Sequence, residues 1–352
     1  MGLTSEEFYL INIKNYQSCF YQNQAHSIWH RMPVLRRSAV FVLLFMGSAG
    51  ELRVLLTKRS PKLRHFPSQV SFPGGKADAG LESEWEVARR EMEEEIGLSA
   101  NNDFLRNNYG FVIEHLKILP CFLSRTFLAV APCVGFLKPC ERDSTKMSKF
   151  HLYLNRLEIS SAFSSPLRDF FYTENGGNTK EALEILWTKI KWGNVPWNLR
   201  SYTFPRHNAN ETFWIREYPF KEKAEHSTTS SHHIGSKGFQ VSKSLEEPSS
   251  KSAQDSTSPP ESEEEVYEEV YDVWGLTANI LHSISQIVYC SPKDVSEKVF
   301  GEEELIYCAW HYGDLMKVKE RTEQEKLISR NELAYNDIMP RLEFIRIKNL
   351  YK

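Results

Sequence analysis

No hydrophobic run in this sequence approaches membrane length. The longest, Ala39 to Met46, falls far short of the roughly 18 apolar residues a helical span needs, and it lies too far in for a secretory signal. There is also no C-x-x-C pair. The six cysteines, Cys19, Cys121, Cys133, Cys140, Cys290 and Cys308, are scattered, which argues against a zinc or redox centre and reads as reduced thiols in a reducing compartment. Nor is there an excess of one charge. A net charge of −3 provides no general field for nucleic acid or an anionic membrane, so any phosphate binding must be local. No internal repeat is visible. The expectation is a soluble intracellular protein with no membrane span and no nucleic-acid partner. Its 352 residues allow either two domains or one core with long insertions.

What the chain does have is a crowded acidic helix. Gly74 to Leu98 reads GGKADAGLESEWEVARREMEEEIGL: a glycine pair, a short polar loop, then many glutamates. With successive residues about 100° apart on a helix, Trp85, Ala88, Met92 and Ile96 form one stripe, and Glu91, Glu94 and Glu95 a neighbouring one. The first packs inward and the second gathers carboxylates. Like charges three and four residues apart cost an isolated helix about 0.2–0.5 kcal/mol per pair, and no Lys or Arg follows closely enough to offset them. A solvated acidic face is the plain reading. The alternative is a cation site, because hard divalent ions take carboxylate oxygens and leave positions for water and phosphate.

The order of residues decides between them. Arg90-Glu91-Met92-Glu93-Glu94-Glu95-Ile96-Gly97-Leu98, with Gly75 before it, resembles the Nudix box, whose owners hydrolyse a nucleoside diphosphate linked to a further group. Six residues separate Gly75 from Glu82, one more than in the usual box. Upstream, Leu55-Leu56-Thr57-Lys58-Arg59-Ser60, then Arg64, then Phe72-Pro73-Gly74-Gly75 is similar to the accessory motif of the coenzyme A diphosphatases, and the longer loop suits that branch. A glycine usually stands where this chain has Ser68, which matters if the backbone there needs a positive φ.

The resemblance implies an α/β fold, the Nudix α/β/α sandwich with a mixed sheet, here with insertions and a C-terminal extension. The expected division is an N-terminal extension (1–36), a Nudix core (37–220) with an insertion around 138–200, a disordered linker (221–265), and a closing helix with a tail (266–352). Ala39 to Met46, the turn Gly47 to Gly50 and Leu52 to Thr57 read as strand, hairpin and strand. Phe111 to Leu119 and Cys121 to Leu137 read as further core strands, and Leu157 to Ile159 with Phe163 and Pro166 as the strand and turn after them. Tyr172 to Arg200 looks like an insertion, partly helical from Thr179 to Lys191, followed by strand-like pieces at Tyr202 to Phe204 and Thr212 to Tyr218. Lys221 to Glu265 is dominated by Ser, Lys, Glu, Pro and Thr and cannot repay its ordering entropy. His232 and His233 there, and the acidic run Glu261 to Glu269, carry no site. Leu276, Ile280, Ile284, Ile287 and Val288 recur at helical spacing, and 291–352 reads as a helical or loop-rich tail.

For the site, the resemblance implies that Glu91, Glu94, Glu95 and the carbonyl of Gly75 hold Mg²⁺ or Mn²⁺, that Arg90 orients the glutamates, and that Glu94 is the base. Lys58, Arg59, Lys62 and Arg64 put four positive charges within seven residues. They are either an exposed basic loop or the counter-charges of a polyanionic small-molecule substrate, coenzyme A or acyl-coenzyme A. Two other readings stay open: a Nudix enzyme for NADH, ADP-ribose or a capped RNA end, and a catalytically dead Nudix module that binds a partner. A peroxisomal location, otherwise cytoplasmic, follows from the resemblance alone, since Leu350-Tyr351-Lys352 is not a tripeptide of the Ser-Lys-Leu type.

Overall fold

The apolar run that begins at Ala39 is strand β1 (Arg37–Met46), and its alternation sends side chains into two separate layers. Ala39, Phe41, Leu43 and Phe45 join one buried cluster, while Val42 and Leu44 join the other. A strand buried on both faces reads as continuous hydrophobicity, which is why no polar partner interrupts it. The computed structural model describes residues 6–18, 27–140, 144–171, 181–216 and 270–352. Ahead of β1 comes helix α1 (Leu10–Asn15). After it follow β2 (Leu52–Arg59), β3 (Val70–Ser71), β4 (Gly74–Lys76), α2 (Glu84–Ile96) and α3 (Asn102–Tyr109). Next come β5 (Phe111–Ile118), β6 (Phe122–Leu123), β7 (Ala129–Pro139), α4 (Ser144–Met147) and β8 (Ile159–Pro166). The described chain continues with β9 (Glu184–Trp192), β10 (Val195–Pro205), β11 (Val270–Trp274) and α5 (Gly275–Tyr289). It closes with α6 (Pro292–Ser296), α7 (Glu303–His311), α8 (Glu323–Ser329) and α9 (Arg341–Leu350).

The main sheet runs β3-β2-β1-β7-β5, with β4 on β1, β6 on β7 and β8 on β2. It is mixed, because β1 pairs parallel with β7 over Arg37–Leu44 and antiparallel with β2 and β4. Helix α2 lays Val87, Ala88, Met92 and Ile96 on the Phe41 layer. Helix α5 lays Ile280, Leu281 and Ile284 on the Val42 layer. Helices on both faces of a mixed sheet make the α/β/α sandwich expected from the sequence, with extra elements around it.

Three expectations change. Thr179 to Lys191 is not helical where it is described: Glu184–Trp192 is strand β9, paired antiparallel with β10. Gly193 and Asn194 take φ of 53° and 67°, the paired positive values of a tight hairpin turn, and this turn overrides the helical reading. Thr212 to Arg216 forms turns rather than a strand, and its Trp214 packs on Phe45 instead of pairing in a sheet. Residues 291–352 are helical but not peripheral, because Leu305, Ile306, Cys308 and Ala309 share the buried layer of β1 and α2. Lys221 to Glu265, His232, His233 and Glu261 to Glu269 lie outside the described residues.

Between β2 and β3 the backbone does require a positive φ, since Ser68 sits at 59°. A left-handed conformation costs a residue with a Cβ about 1–2 kcal/mol, and glycine avoids it at a smaller entropic cost. Ser68→Gly is expected to raise stability by up to about 1 kcal/mol, read as a higher urea midpoint at unchanged slope. A midpoint that stays put or falls would show that Ser68 is unstrained.

Candidate active site

Helix α2 is delimited by its own residues. Ser83 caps it, accepting from the Glu86 amide at 3.3 Å while Glu86 Oε2 accepts from the Ser83 amide at 2.8 Å. Gly97 ends it at φ 71°. This reciprocal cap fixes where the helix starts and therefore which carboxylates face the glycine pair. Backbone leaves no room at Gly74, whereas Gly75 is faced by the end of the Glu91 side chain. A Cβ on Gly74 would lie 2.6 Å from the Ala39 carbonyl oxygen, and one on Gly75 would lie 2.1 Å from Glu91 Oε1. The Glu91 carboxylate thus rests directly on the Gly75 backbone. Ser38 Oγ donates to the Gly75 carbonyl at 2.6 Å.

Arg90 is the hub of the acidic face. Its Nε donates to Glu82 Oε1 at 2.8 Å, Nη1 to Glu91 Oε1 at 3.0 Å and to Glu94 Oε2 at 3.4 Å, and Nη2 to the Lys76 carbonyl at 3.0 Å. The crowding read from the sequence is therefore partly neutralised from within the helix, by a residue that precedes the glutamates rather than follows them. Burial works against the charged guanidinium, yet Glu82 and Glu91 outweigh it and raise the Arg90 pKa. At Glu82 burial pushes up, but Arg90 wins and the pKa falls. At Glu91 burial wins over Arg90 and the pKa rises.

Glu95 differs from its neighbours. It is only 3% exposed, and Oε2 has no hydrogen-bond partner among the described residues. Burial first and Glu91 second push its pKa up to about 8, with Arg59 pulling the other way. The structure therefore brings Glu91 and Glu95 together at the glycine turn and leaves Glu94 half-exposed beside Arg90. Among the described residues no three His, Cys, Asp or Glu side chains are gathered tightly enough to hold a metal ion.

A further carboxylate belongs here and was missed. Glu158 acts on both Glu91 and Glu95, raising their pKa values. Its loop is pinned by Asn155 N donating to the Glu95 carbonyl at 2.9 Å and by Ser60 N donating to the Glu158 carbonyl at 2.7 Å. No local spacing links Glu158 to the box, so only its place in the turn before β8 could have revealed it.

The basic residues divide. Lys58 and Arg59 end β2 and are half-buried, whereas Lys62 and Arg64 are exposed on the loop after it. Lys58 Nζ lies 5.8 Å from the Tyr271 ring centroid, and the buried Arg59 Nε has no hydrogen-bond partner among the described residues. An orphaned carboxylate oxygen, a second carboxylate against a glycine backbone and a polar rim make an oxygen-rich donor set of the kind that hard divalent cations take. In donor chemistry the residues present fit such an ion, although their side chains stand further apart than bound ligands would.

A NUDIX domain model matches residues 35–145, a span containing β1, β2, the glycine turn and α2. Peroxisomal coenzyme A diphosphatase 1 of Saccharomyces cerevisiae is 36% identical over 334 residues, covering 89% of this chain and 87% of that protein. Nudix hydrolase 15, mitochondrial, of Arabidopsis thaliana is 39% identical over 140 residues, 40% of this chain and 43% of the relative. Peroxisomal coenzyme A diphosphatase ndx-8 of Caenorhabditis elegans is 33% identical over 134 residues, 38% and 50%. The two shorter matches span half or less of their relatives, but the match to the yeast protein extends over nearly nine-tenths of the chain. Similarity of that extent settles the family: the chain belongs to the Nudix hydrolases, in the coenzyme A diphosphatase branch, and is an enzyme that acts on diphosphate bonds.

Proposed function

We propose that this enzyme hydrolyses the diphosphate of coenzyme A and its derivatives to adenosine 3′,5′-bisphosphate and 4′-phosphopantetheine, or the acyl form, with Mg²⁺ or Mn²⁺. The supporting observation is the pairing of an intact carboxylate helix with an unpaired basic loop in a chain so similar to the yeast diphosphatase. Glu91, Glu94, Glu95 and the Gly75 carbonyl are the assigned ligands, and Glu158 adds a further negative charge felt by Glu91 and Glu95. A divalent ion bound there supplies charge neutralisation at the diphosphate and a lowered pKa for a nearby water. Arg90 orients Glu91 and Glu94 through charge-assisted bonds. Glu94, half-exposed at the open side of the helix, is assigned as the group that takes the water's proton. Intact Glu91, Glu94 and Glu95 argue against a dead module. A peroxisomal location rests on the names of the relatives and is checked by co-localisation of the tagged full chain with a peroxisomal marker.

The substrate test rests on Lys62 and Arg64. Coenzyme A exceeds plain ADP derivatives by a 3′-phosphate carrying roughly two negative charges, and no carboxylate among the described residues pairs with either side chain. The expected result is a higher kcat/KM for coenzyme A than for 3′-dephospho-coenzyme A. Arg64→Ala should narrow that ratio by about tenfold, the worth of one charge-assisted bond. The ratio is the measure of differential transition-state binding. Faster cleavage of NADH, ADP-ribose or a diadenosine polyphosphate would overturn the coenzyme A assignment and leave the Nudix chemistry standing.

A further inference from the structure

Away from the carboxylate helix, β10, α5, the segment before α7 and the end of α9 line an open cleft of about 550 Å³. Its walls include Trp197, Arg200, Asn279, His282, Lys298 and Phe300. None of its lining residues lies between Leu55 and Leu98, so it shares nothing with the Nudix box or the basic loop.

Arg200 is the unusual group. It is half-buried, and burial lowers its pKa from the ordinary value. Yet its one side-chain hydrogen bond among the described residues is to a neutral group, from Nη1 to Asn279 Oδ1 at 2.8 Å. Asn279 is held for this purpose, since its Nδ2 donates to the Asn198 carbonyl at 2.9 Å. No carboxylate lies within ion-pair distance of Arg200 among the described residues. A guanidinium withdrawn from water without an anion is costly, and such groups are normally paired.

The other charges of the cleft leave that debt standing. Lys298 adds a second cation, with Nζ donating to Gln286 Oε1. His282 Nδ1 donates to the Phe170 carbonyl at 2.9 Å; burial, then Arg200, pushes its pKa down to about 4, so the ring is neutral at pH 7. Glu302 is spoken for by the Leu123 amide at 2.7 Å and Trp197 Nε1 at 3.0 Å. Glu297 lines the rim but is exposed. Aromatic walls beside amides and two cations suit a planar ring carrying a phosphate, and the volume suits a mononucleotide.

We propose that this cleft is a second binding site, separate from the hydrolytic one, which takes a nucleotide-sized phosphorylated small molecule through Arg200 and Lys298. The test titrates the full-length chain calorimetrically, in chelator to keep metal off the carboxylate helix, with AMP, inorganic phosphate and adenosine. AMP should bind tightest, because it offers both ring and charge. Lys298→Glu, an exposed change that leaves the fold intact, and Arg200→Gln should each weaken AMP at least tenfold. Neither should change kcat or KM for coenzyme A more than about threefold, which also shows that both variants are folded. Equal AMP affinity in wild type and both variants would overturn the site. So would loss of AMP binding in Arg64→Ala alone, or a rise in KM for coenzyme A matching the loss for AMP, which would make the cleft part of the substrate site. AMP binding no tighter than phosphate would overturn the nucleotide class.

Discussion

Glu95→Gln is expected to lower turnover at least a hundredfold while raising the thermal midpoint of the metal-free protein. The two effects have one cause. Glu95 is buried, carries an orphaned oxygen and sits beside Glu91, so its ionised form is unfavourable until a cation joins it. Gln keeps the shape and removes both the charge and a ligand. The pH dependence follows from the sign. The pKa of Glu95 in the folded chain, about 8, lies above its unfolded value of about 4.3. Its contribution to stability is therefore full below the unfolded pKa and is lost as pH rises through the folded one. In chelator, the advantage of Glu95→Gln should be small at pH 4 and grow towards pH 9. Glu94→Gln is a useful contrast. It should also lose turnover, but Glu94 is half-exposed beside Arg90, so its metal-free midpoint should hardly move. Near-wild-type kcat for Glu95→Gln in saturating Mg²⁺ would remove Glu95 from the ligand set.

The second large effect concerns the far end of the chain. Glu325→Ala is expected to cost about 3–5 kcal/mol, the range for removing one partner of a buried ion pair. Glu325 is 0% and Arg36 1% exposed. Arg36 Nη2 donates to Glu325 Oε2 at 2.8 Å, and the Met316 amide donates to Glu325 Oε1 at 2.7 Å. The same guanidinium reaches the carbonyls of Val318 at 2.8 Å, Glu320 at 3.0 Å and Phe127 at 3.2 Å. One side chain just ahead of β1 thus ties the segment before α8 to the approach to β7. Without Glu325 that guanidinium is buried and uncompensated, whereas Glu325→Gln keeps an acceptor and should cost less. Urea denaturation of both variants measures this. A loss below about 1 kcal/mol in Glu325→Ala would mean that the segment is not integral to the fold.

What the sequence determined by itself are the features written in neighbouring residues. Helical spacing put Trp85, Ala88, Met92 and Ile96 on one face; the last three are fully buried and Trp85 is partly buried against the same layer. Continuous apolar runs marked β1, β2 and β7, because strands covered on both faces have no polar side to show. The Nudix box was legible because its glycine turn and carboxylates come from a single turn-helix unit. Glu184–Trp192 was misread for the opposite reason. Leu186, Trp187 and Ile190 stay exposed, so no burial pattern marks the strand, and the two-residue turn at Gly193-Asn194 carries the signal instead. Only the tertiary structure decided that the last helices are core. Ile28 N donates to Glu303 at 3.0 Å, Trp197 to Glu302 at 3.0 Å and Arg36 to Glu325 at 2.8 Å, joining residues distant in the chain through charged groups that read as surface. The same holds for Glu158 beside the carboxylate helix and for Arg200 in its cleft. A charged residue's role depends on which partner folding brings to it, and that pairing across the chain leaves no period in the sequence.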